Sequence, residues 1–313
     1  MMIGAILAGG FGKRLKPLTD EIPKAMIQIR ENYSILDRQI FDFKTIGITD
    51  IYILSGYMGE KIQERYGSEE DGVRFTYLKE DKPMGTLYSM RNLISHRSDE
   101  DVLLRNGDTV TDLNFQKFAE FSRKSAFDLT MFVSRMRSPF GIVELLGDQI
   151  LSFKEKPYLN HYINSGVYYI KKSAFPYFSM DYLSKDIETT VFPRIASEKK
   201  AGAYSEETLW LGIDSEKDLE QIRKEYESRV DFPWGYKKEV FRSGGKMIED
   251  YYARSENRIR IEVKGNAILR ISSGRGKIEG ESTILYTDNQ ILQVSSTFEL
   301  YPTENTWFSI ISV

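Results

Sequence analysis

The spacing of apolar residues divides the chain into two regions of different texture. Over roughly the first 225 residues, short apolar runs typical of buried strands alternate with segments whose apolar residues recur at helical spacing. The pattern predicts strands at residues 2–7, 51–55, 73–77, 102–106, 129–134, 141–144, 150–154 and 166–170. It predicts helices at residues 35–46, 61–66, 87–94, 115–122 and 219–226. Strands that alternate with helices favour an α/β fold, here a Rossmann-like arrangement around a mostly parallel sheet.

The pattern changes after residues 232–235, which read Phe-Pro-Trp-Gly. Residues 258–263 and 267–271 alternate apolar and polar side chains, as half-buried strands do. Glycines punctuate this region at Gly265, Gly274, Gly276 and Gly280. We therefore expect a small antiparallel β domain of the sandwich or jelly-roll type. The predicted domains are residues 1–228 and 229–313.

Composition narrows the class of protein. The 313 residues are 41% hydrophobic and 28% charged, which is typical of a soluble globular protein. A net charge of −3 lacks the basic excess that nucleic-acid binding usually needs. No apolar run approaches the roughly 18 residues of a membrane span, and no signal peptide is expected. The absence of cysteine excludes disulfides, thiol catalysis and cysteine-bound zinc, and it agrees with a cytoplasmic location.

The loop after the first strand, residues 7–26, carries the most informative motif, LAGGFGKRLKPLTDEIPKAM. Gly9, Gly10 and Gly12 allow backbone N–H groups to approach a ligand closely and allow positive φ. Arg14 and Lys24 add fixed positive charge, so the loop suits a polyphosphate. The spacing matches neither a Walker A loop nor G-x-G-x-x-G. An ordinary glycine-rich turn is the alternative, but it needs neither basic residue.

Two further segments offer ligands. Asp108 follows the buried strand predicted at 102–106, and ligands of open α/β sheets bind at the carboxyl ends of strands. A carboxylate there suits Mg²⁺, which takes one or two carboxylates plus phosphate oxygens, although it can equally cap the next helix. Residues 82–86 read Lys-Pro-Met-Gly-Thr, and Gly85 permits close approach of a ligand. A plain turn before the helix at 87–94 is the alternative.

These motifs resemble the sugar-1-phosphate nucleotidyltransferases, also called NDP-sugar pyrophosphorylases. The first loop fills nearly every position of that family's LAGG-x-G-x-R-L-x-PLT-x-x-x-PK-x-M, with Ala25 where proline is common. The resemblance implies an attack by a sugar 1-phosphate oxygen on the α-phosphorus of a nucleoside triphosphate, with pyrophosphate leaving. It also implies that Arg14 binds the β- and γ-phosphates, that Lys24 reaches the α-phosphate, and that Asp108 holds Mg²⁺. The implied nucleotide-binding residues are Leu7, Ala8, Gly9, Gly10, Gly12 and Gly85.

A second set of segments resembles the family's sugar-binding elements in the right order. They are residues 140–144 (FGIVE), 153–157 (FKEKP) and 163–168 (INSGVY). The resemblance implies that Lys156 binds the sugar phosphate and that Glu155 accepts sugar hydroxyls. Gly141 and Asn164 complete the implied sugar pocket. Taken alone, a Glu-Lys pair is usually a solvent-exposed pair on the protein surface.

One position departs from the family pattern. Members commonly complete the metal site with the aspartate of W-x-D-x-G, whereas this chain has Gly212 there and an aspartate two residues later. On an extended strand residues i and i+2 face the same side, about 6–7 Å apart, so Asp214 can reach the metal directly or through water. Equally, Asp214 can cap the helix that follows. In the second case Asp108 alone holds the metal, and activity is weak or absent.

The resemblance implies an enzyme that forms an NDP-sugar from a nucleoside triphosphate and a sugar 1-phosphate. Residues 84–86, the INSGVYY segment and the C-terminal domain favour guanylyl transfer to mannose or heptose 1-phosphate. Thymidylyl and uridylyl transfer stay open. A non-catalytic nucleotide-sugar-binding regulatory subunit is the alternative from another class, because of Gly212.

The Phe-Pro-Trp-Gly-Tyr start of the C-terminal domain resembles the cupin domain of certain mannose-1-phosphate guanylyltransferases. Metal-binding cupins use histidines, and the two histidines of this chain, His96 and His161, both precede that domain. We therefore expect a degenerate cupin that serves as a scaffold or joins two chains into a homodimer.

Overall fold

The computed structural model describes residues 2–80, 82, 84–263, 265–280 and 282–312. The chain divides into two compact units, residues 1–219 and 220–313. The division falls inside a helix, shortly before the boundary predicted after residue 228, which stays a prediction. Pro83 of the predicted 82–86 segment lies outside the described residues.

The strands of the first unit match the predicted apolar runs, with shorter strands added between them. Their bounds are β1 Met2–Leu7, β2 Gln28–Arg30, β3 Tyr33–Ser34, β4 Asp50–Ser55, β5 Glu69–Glu70, β6 Val73–Lys79, β7 Asp101–Asn106, β8 Thr109–Thr111, β9 Leu129–Arg137, β10 Ile142–Leu146, β11 Gln149–Lys154, β12 Tyr158–Ile170, β13 Ala201–Ser205 and β14 Trp210–Gly212. The strand predicted at 141–144 begins at Ile142, so Gly141 lies just outside it.

The five predicted helices are also present, together with three that were not predicted, α1, α6 and α7. The bounds in the described residues are α1 Leu18–Glu21, α2 Ile35–Thr45, α3 Gly59–Tyr66, α4 Thr86–His96, α5 Phe115–Lys124, α6 Phe175–Phe178, α7 Val191–Ser197 and α8 Glu216–Tyr226. Short 3₁₀ turns occur at Lys13–Leu15, Lys24–Met26, Lys172–Ala174 and Ile187–Thr189. Helix α2 starts where Ser34 and Asp37 form a capping box, each side chain accepting from the other's backbone N–H. Asn114 caps α5 by accepting from the N–H of Lys117 at 3.1 Å.

The central sheet of the first unit runs β13-β9-β12-β7-β1-β4-β6-β5 within the described residues. Strand β1 pairs in parallel with β4 and β7, and β4 pairs in parallel with β6. Strands β12 and β5 run antiparallel to their neighbours. The prediction of a mostly parallel α/β sheet is therefore confirmed.

Alternating side chains of the central strands form a core on each face of the sheet. In β1, Ile3 and Ala5 pack into one apolar cluster, whereas Ile6 packs into the other. In β7, Leu104 joins the first cluster and Leu103 the second. Burial on both faces explains why these strands read as continuous apolar runs.

The second unit is β-rich. Its strands are β15 Arg229–Phe232, β16 Gly235–Ser243, β17 Lys246–Ala253, β18 Ile259–Ile261, β19 Ala267–Ser273, β20 Gly276–Glu279, β21 Thr283–Tyr286, β22 Ile291–Val294, β23 Phe298–Pro302 and β24 Thr306–Ser312. The described strands form one sheet in the order β15-β16-β17-β24-β19-β22 and another in the order β18-β23-β20-β21. All the pairs are antiparallel, which confirms the predicted antiparallel β domain. Its likeness to a cupin stays a prediction.

Candidate functional site

A crevice opens at the carboxyl ends of the central parallel strands. After β1 the chain adds β4 on one side and later β7 on the other, which makes a topological switch point beside β1. A cavity of about 360 Å³ lies there. The predicted residues that line it are Leu7, Ala8, Gly9, Gly10, Lys24, Gly85 and Asp108. The sheet topology thus gathers residues from three separate sequence motifs.

Close backbone approach explains several glycines around the cavity. A Cβ on Gly9 would lie 3.3 Å from the backbone nitrogen of Gly56, which follows β4. A Cβ on Gly107 would lie 2.6 Å from the carbonyl oxygen of Leu7, and the Gly107 N–H donates to that oxygen at 2.9 Å. Gly12 has a φ of 60°, in the left-handed region that favours glycine. These contacts hold the first loop against the turns after β4 and β7.

Lys24 is the centre of the charged group at this crevice. Its Nζ donates to Asp108 Oδ2 at 2.7 Å and to Asp214 Oδ1 at 2.8 Å. Burial acts to lower the pKa of the Lys24 ammonium, but the two carboxylates outweigh burial and raise it above the ordinary value of 10.5. The hydrogen bond from Lys24 lowers the pKa of the Asp214 carboxyl below 3.8. Lys24 therefore stays charged, and it holds both carboxylates at one point.

Arg14 lies at the outer side of this group. Its Nη2 is 3.3 Å from Asp214 Oδ1, and its side chain is 75% exposed. Neither Arg14 nor Asp214 lines the cavity itself. An exposed guanidinium with a long side chain can turn toward an anion at the mouth of the crevice.

The structure bears on the helix-capping role left open for Asp214, whereas its role as a metal ligand stays a prediction. Strand β14 pairs with β8 through Gly212 and Thr109, and the Ile213 N–H then donates to the Asp108 carbonyl at 2.9 Å. This pairing carries Asp214 to the ammonium of Lys24. Ser215 and Asp218 cap α8 instead. The Asp218 N–H donates to the Ser215 hydroxyl oxygen at 3.4 Å, and Asp218 Oδ2 accepts from the backbone N–H of Ser215 at 2.8 Å and from its hydroxyl at 2.7 Å. The helix-capping role for the Asp214 side chain is therefore wrong.

A buried glutamine holds the turn that carries Asp108. Gln39 of α2 is fully buried, and its Nε2 donates to the carbonyl of Asn106 at 2.9 Å and to that of Thr109 at 2.8 Å. These two carbonyls flank Gly107 and Asp108. One amide group thus fixes both ends of the turn, a positioning role that the sequence patterns did not suggest.

The donor set around Lys24 bears on whether a metal fits. No group of three or more histidine, aspartate and glutamate side chains suited to a metal occurs among the described residues. Asp108 and Asp214 nevertheless both contact the same ammonium, so their oxygens are close enough to face one cation. Mg²⁺ needs only one or two carboxylates when substrate phosphates and water supply its other ligands. The residues present fit a magnesium ion of that kind.

Acidic side chains that the sequence analysis missed line another part of the cavity. Glu80 follows β6, and its carboxylate accepts from the Met84 N–H at 3.0 Å and from the Ser89 hydroxyl. Glu188 accepts from the Thr86 hydroxyl at 3.2 Å. Asp186 also lines the cavity. Glu80 could have been found from its place at the carboxyl end of a strand, whereas Asp186 and Glu188 have no local sequence signal.

Gly85 lies where a side chain cannot. Its φ is 88°, and a Cβ would lie 2.5 Å from the carbonyl oxygen of Lys185. The Leu87 N–H donates to the same carbonyl at 2.9 Å. The turn before α4 therefore packs against the segment that carries Asp186 and Glu188.

The predicted sugar-binding residues are not part of the cavity lining. Glu155 and Lys156 are exposed, with Lys156 Nζ 3.7 Å from Glu155 Oε1. Gly141 lies close to them, since a Cβ there would be 3.1 Å from Glu155 Oε2. Asn164 Nδ2 donates to the Tyr168 hydroxyl at 2.7 Å. The structure brings Gly141 near Glu155, but it places none of the four in the cavity lining.

Comparison with known proteins agrees with this geometry. The family model of the nucleotidyl transferases matches residues 3–229. A mannose-1-phosphate guanyltransferase of Yarrowia lipolytica is 30% identical over 228 residues, which cover 70% of this chain and 62% of that protein. The catalytic subunit beta of a Xenopus tropicalis mannose-1-phosphate guanylyltransferase is 29% identical over 229 residues, with the same coverage of 70% and 62%. The chain thus spans less than two thirds of the length of these two relatives.

Solved structures share the fold. A Bacillus anthracis protein described provisionally as a glucose-1-phosphate thymidylyltransferase gives a TM-score of 0.60 at 23% identity, covering 72% of this chain and 94% of that one. HddC from Yersinia pseudotuberculosis, complexed with GMP-PN, gives a TM-score of 0.56 at 23% identity, covering 72% of this chain and all of that one. Separately, none of the helices among the described residues is long and apolar enough to cross a membrane.

Proposed function

The chain belongs to the nucleotidyl transferase family, and we propose that it joins a nucleoside triphosphate to a sugar 1-phosphate. An oxygen of the sugar phosphate attacks the α-phosphorus, the bond from that phosphorus to the oxygen bridging to the β-phosphate breaks, and pyrophosphate leaves. An NDP-sugar is the product. One observation carries the proposal: the Lys24 ammonium lies in the switch-point cavity, beside the glycine-rich loop and in contact with two carboxylates.

Such a reaction depends on positioning and on offsetting phosphate charge. The backbone of Gly9 and Gly10 lines the cavity and approaches the phosphates closely. Lys24 donates to the α-phosphate, and Arg14 turns from Asp214 to the β- and γ-phosphates. Both cations exchange a carboxylate partner for a phosphate, so binding costs less than uncovering a fully buried ion pair.

Mg²⁺ is the metal we propose for this site. Asp108 and Asp214 are the residues that would hold it, and when bound it would offset negative charge on the phosphates. With the metal on the two carboxylates, Lys24 would donate to the nucleotide phosphate rather than to Asp108 and Asp214.

We propose guanine as the base. The Glu80 carboxylate in the cavity has two oxygens, each able to accept one further hydrogen bond besides its protein partner. Guanine presents two adjacent donors, N1–H and N2–H₂, to such a group, whereas thymine and uracil present a single N–H between two carbonyls. The names of the Yarrowia lipolytica and Xenopus tropicalis relatives support the same choice, and they support mannose 1-phosphate over a heptose 1-phosphate as the sugar substrate.

The remaining expectations stay predictions. These are the sugar-binding roles of Gly141, Glu155, Lys156 and Asn164, the cupin-like scaffold, a homodimer formed through it, and a cytoplasmic location. Thymidylyl or uridylyl transfer and a regulatory subunit without turnover stay as the alternatives.

A substrate panel tests the function. The full chain is incubated with each nucleoside triphosphate, Mg²⁺ and mannose, heptose, glucose or galactose 1-phosphate, and pyrophosphate release is followed. We expect GTP with mannose 1-phosphate to give the highest kcat/KM. Nucleotide binding without pyrophosphate release in any pair would favour the regulatory subunit.

Two variants test the assigned residues. Asp108→Asn should abolish turnover or raise the Mg²⁺ concentration needed for half-maximal rate, and an unchanged Mg²⁺ titration would refute metal binding by Asp108.

Glu80→Gln should reduce the preference for GTP over UTP at least tenfold, because an amide offers guanine one acceptor and one clashing donor. An unchanged preference would remove Glu80 from base recognition.

A further inference from the structure

Phe11 is an aromatic residue in the middle of the glycine-rich loop. It stands between Gly10 and Gly12, lines the cavity and is 41% exposed. Single exposed apolar residues are common on protein surfaces, so exposure alone indicates nothing. The position of Phe11 is informative, because the glycines and basic residues around it suit phosphates, whereas a phenyl ring does not.

Tyr57 holds the Phe11 ring in place. The two ring centroids lie 5.1 Å apart, and the ring planes are tilted by 39°. Aromatic pairs at this separation attract each other beyond the effect of area burial. Tyr57 is half-buried and is not among the residues that line the cavity. The pair therefore fixes the Phe11 ring at the cavity wall and leaves part of it open.

Lys13 covers the Phe11 ring only loosely. Its Nζ lies 5.8 Å from the ring centroid, close to the limit of about 6 Å for a cation–π contact. Such contacts are weak at exposed sites, and Lys13 is exposed. A ligand in the cavity can therefore take the place of the ammonium against the ring.

The order of the strands places Phe11 on one side of the cavity. The sheet runs β7-β1-β4-β6 through the switch point. Asp108 follows β7, and Gly9 follows β1. Tyr57 follows β4, and Glu80 follows β6. Because Phe11 comes after β1 and contacts Tyr57, its ring lies toward Glu80 and away from Asp108.

A nucleotide fits this order along the edge of the sheet. Neighbouring strands lie about 4.8 Å apart, so the three steps from β7 to β6 span roughly 14 Å. A nucleotide with its phosphates at Lys24 and its base edge at Glu80 passes the Phe11 ring. A base presents a flat π-face to an aromatic ring, whereas ribose presents hydroxyl groups. The base is therefore the part of the nucleotide that this ring recognises.

We propose that Phe11 is the platform on which the purine base of the nucleotide stacks. The inference rests on the proposed function, and it adds a second basis of selectivity to that of Glu80. Stacking accepts any base, but the larger π-face of a purine gains more from it than that of a pyrimidine. Phe11 thus favours GTP and ATP over UTP. Glu80 then selects guanine, because adenine presents an acceptor nitrogen beside its amino group.

Nucleotide binding tests the proposal without turnover. The full chain is titrated by calorimetry with GTP, UTP and inorganic triphosphate in the presence of Mg²⁺, and sugar phosphate is left out. Phe11→Ala should weaken GTP binding about tenfold or more and UTP binding less. The Kd of inorganic triphosphate, which has no base, should stay unchanged. Phe11→Tyr should keep the wild-type Kd of GTP, because it keeps the ring.

Phe121→Ala is the matched control. Phe121 is 40% exposed and packs on Tyr204, and neither residue lines the cavity. The variant should leave all three dissociation constants unchanged. Tyr57→Leu should weaken GTP binding, but less than Phe11→Ala, because it removes only the support of the ring.

An unchanged Kd of GTP in Phe11→Ala would overturn the proposal. An equally large loss for inorganic triphosphate would also overturn it, because Phe11 would then shape the loop rather than hold the base. An equal loss for GTP and UTP would overturn the preference for purines. GTP binding that depends on Phe11 in a chain without turnover would support the stacking and count only against the proposed reaction.

Discussion

The first unit contains two groups of four charged side chains, each with two cations and two carboxylates, and each group includes one residue of β7 or of the turn that follows it. They are the core quartet, Arg38, Asp42, Arg105 and Asp112, and the pocket quartet, Arg14, Lys24, Asp108 and Asp214. Side chains of the core quartet are at most 5% exposed, whereas those of the pocket quartet are 12 to 75% exposed. The two quartets carry the same charges but differ in side-chain exposure, and this difference makes them two different kinds of site.

The core quartet can only be structural. Asp42 accepts from Arg105 Nη1 at 2.7 Å and lies 2.9 Å from Arg38 Nη2, and Asp112 lies 3.3 Å from that same nitrogen. No substrate reaches these groups, and removal of one partner leaves a buried charge without its counter-charge. In the pocket quartet a phosphate can replace a carboxylate at Lys24 or Arg14. Solvent access decides which quartet is able to exchange partners.

The largest expected effect is on the core quartet. Asp42→Asn keeps the side-chain shape but removes the negative charge between Arg38 and Arg105. We expect the free energy of unfolding to fall by about 3–5 kcal/mol, as measured by urea denaturation. Asp71→Asn is the control, because Asp71 is exposed and lies 3.8 Å from Lys44. A loss below 1 kcal/mol for Asp42→Asn would mean that the two quartets do not differ in the way proposed.

The next effect concerns the pocket quartet. Lys24→Ala should lower kcat/KM for nucleotidyl transfer by about 100- to 1,000-fold, since it removes a preorganised donor to the reacting phosphate. The fold should persist, because the two carboxylates left without Lys24, Asp108 and Asp214, are 36% and 47% exposed and can be solvated. Lys16→Ala is the control from the same loop, since Lys16 is 56% exposed and pairs only with Asp20 among its described contacts. Full activity of the Lys24 variant would refute its role.

Gln39 links the two quartets, because it holds the turn between Arg105 and Asp108. Gln39→Met leaves the carbonyls of Asn106 and Thr109 without their donor, which should cost about 1–3 kcal/mol of stability. It should also raise the Mg²⁺ concentration for half-maximal rate severalfold. Gln116→Met on the exposed side of α5 serves as the control. A loss of stability with an unchanged Mg²⁺ requirement would leave Gln39 with a structural role only.

The smallest effect is the pH dependence of the pocket quartet. The lowered pKa of Asp214 means that its contribution to stability is present above pH 3.8 and is lost as pH falls through the lowered value. The raised pKa of Lys24 means that its contribution is present below pH 10.5 and is lost at higher pH. Asp214 is 47% exposed, and solvent screening at its carboxylate limits the contribution of the pair to about 1 kcal/mol or less.

The stability difference between the wild type and Asp214→Asn measures this effect. It should be constant from about pH 5 to pH 9 and should shrink toward zero in acid, because the wild-type carboxylate then becomes neutral as well. Urea denaturation across this range measures it. A difference that grows as pH falls would contradict the assigned ion pair.

The sequence alone determined most of the longer strands and helices of the first unit and seven of the residues that line the cavity. Continuous apolar runs identified β1 and β7, because strands buried on both faces carry mostly apolar side chains. The glycine-rich loop with Lys24 was recognisable because close backbone approach and fixed charge restrict the residue types at those positions. The family is confirmed by the match to residues 3–229.

Only the tertiary structure decided which distant residues meet. The pairing of β14 with β8 brings Asp214 to Lys24, and neither the strand pairing nor the cap by Ser215 and Asp218 can be read from local spacing. The packing of α2 on the turn after β7 buries Gln39 and the core quartet. Local patterns record what a residue prefers, whereas contacts between distant segments depend on how the whole chain packs.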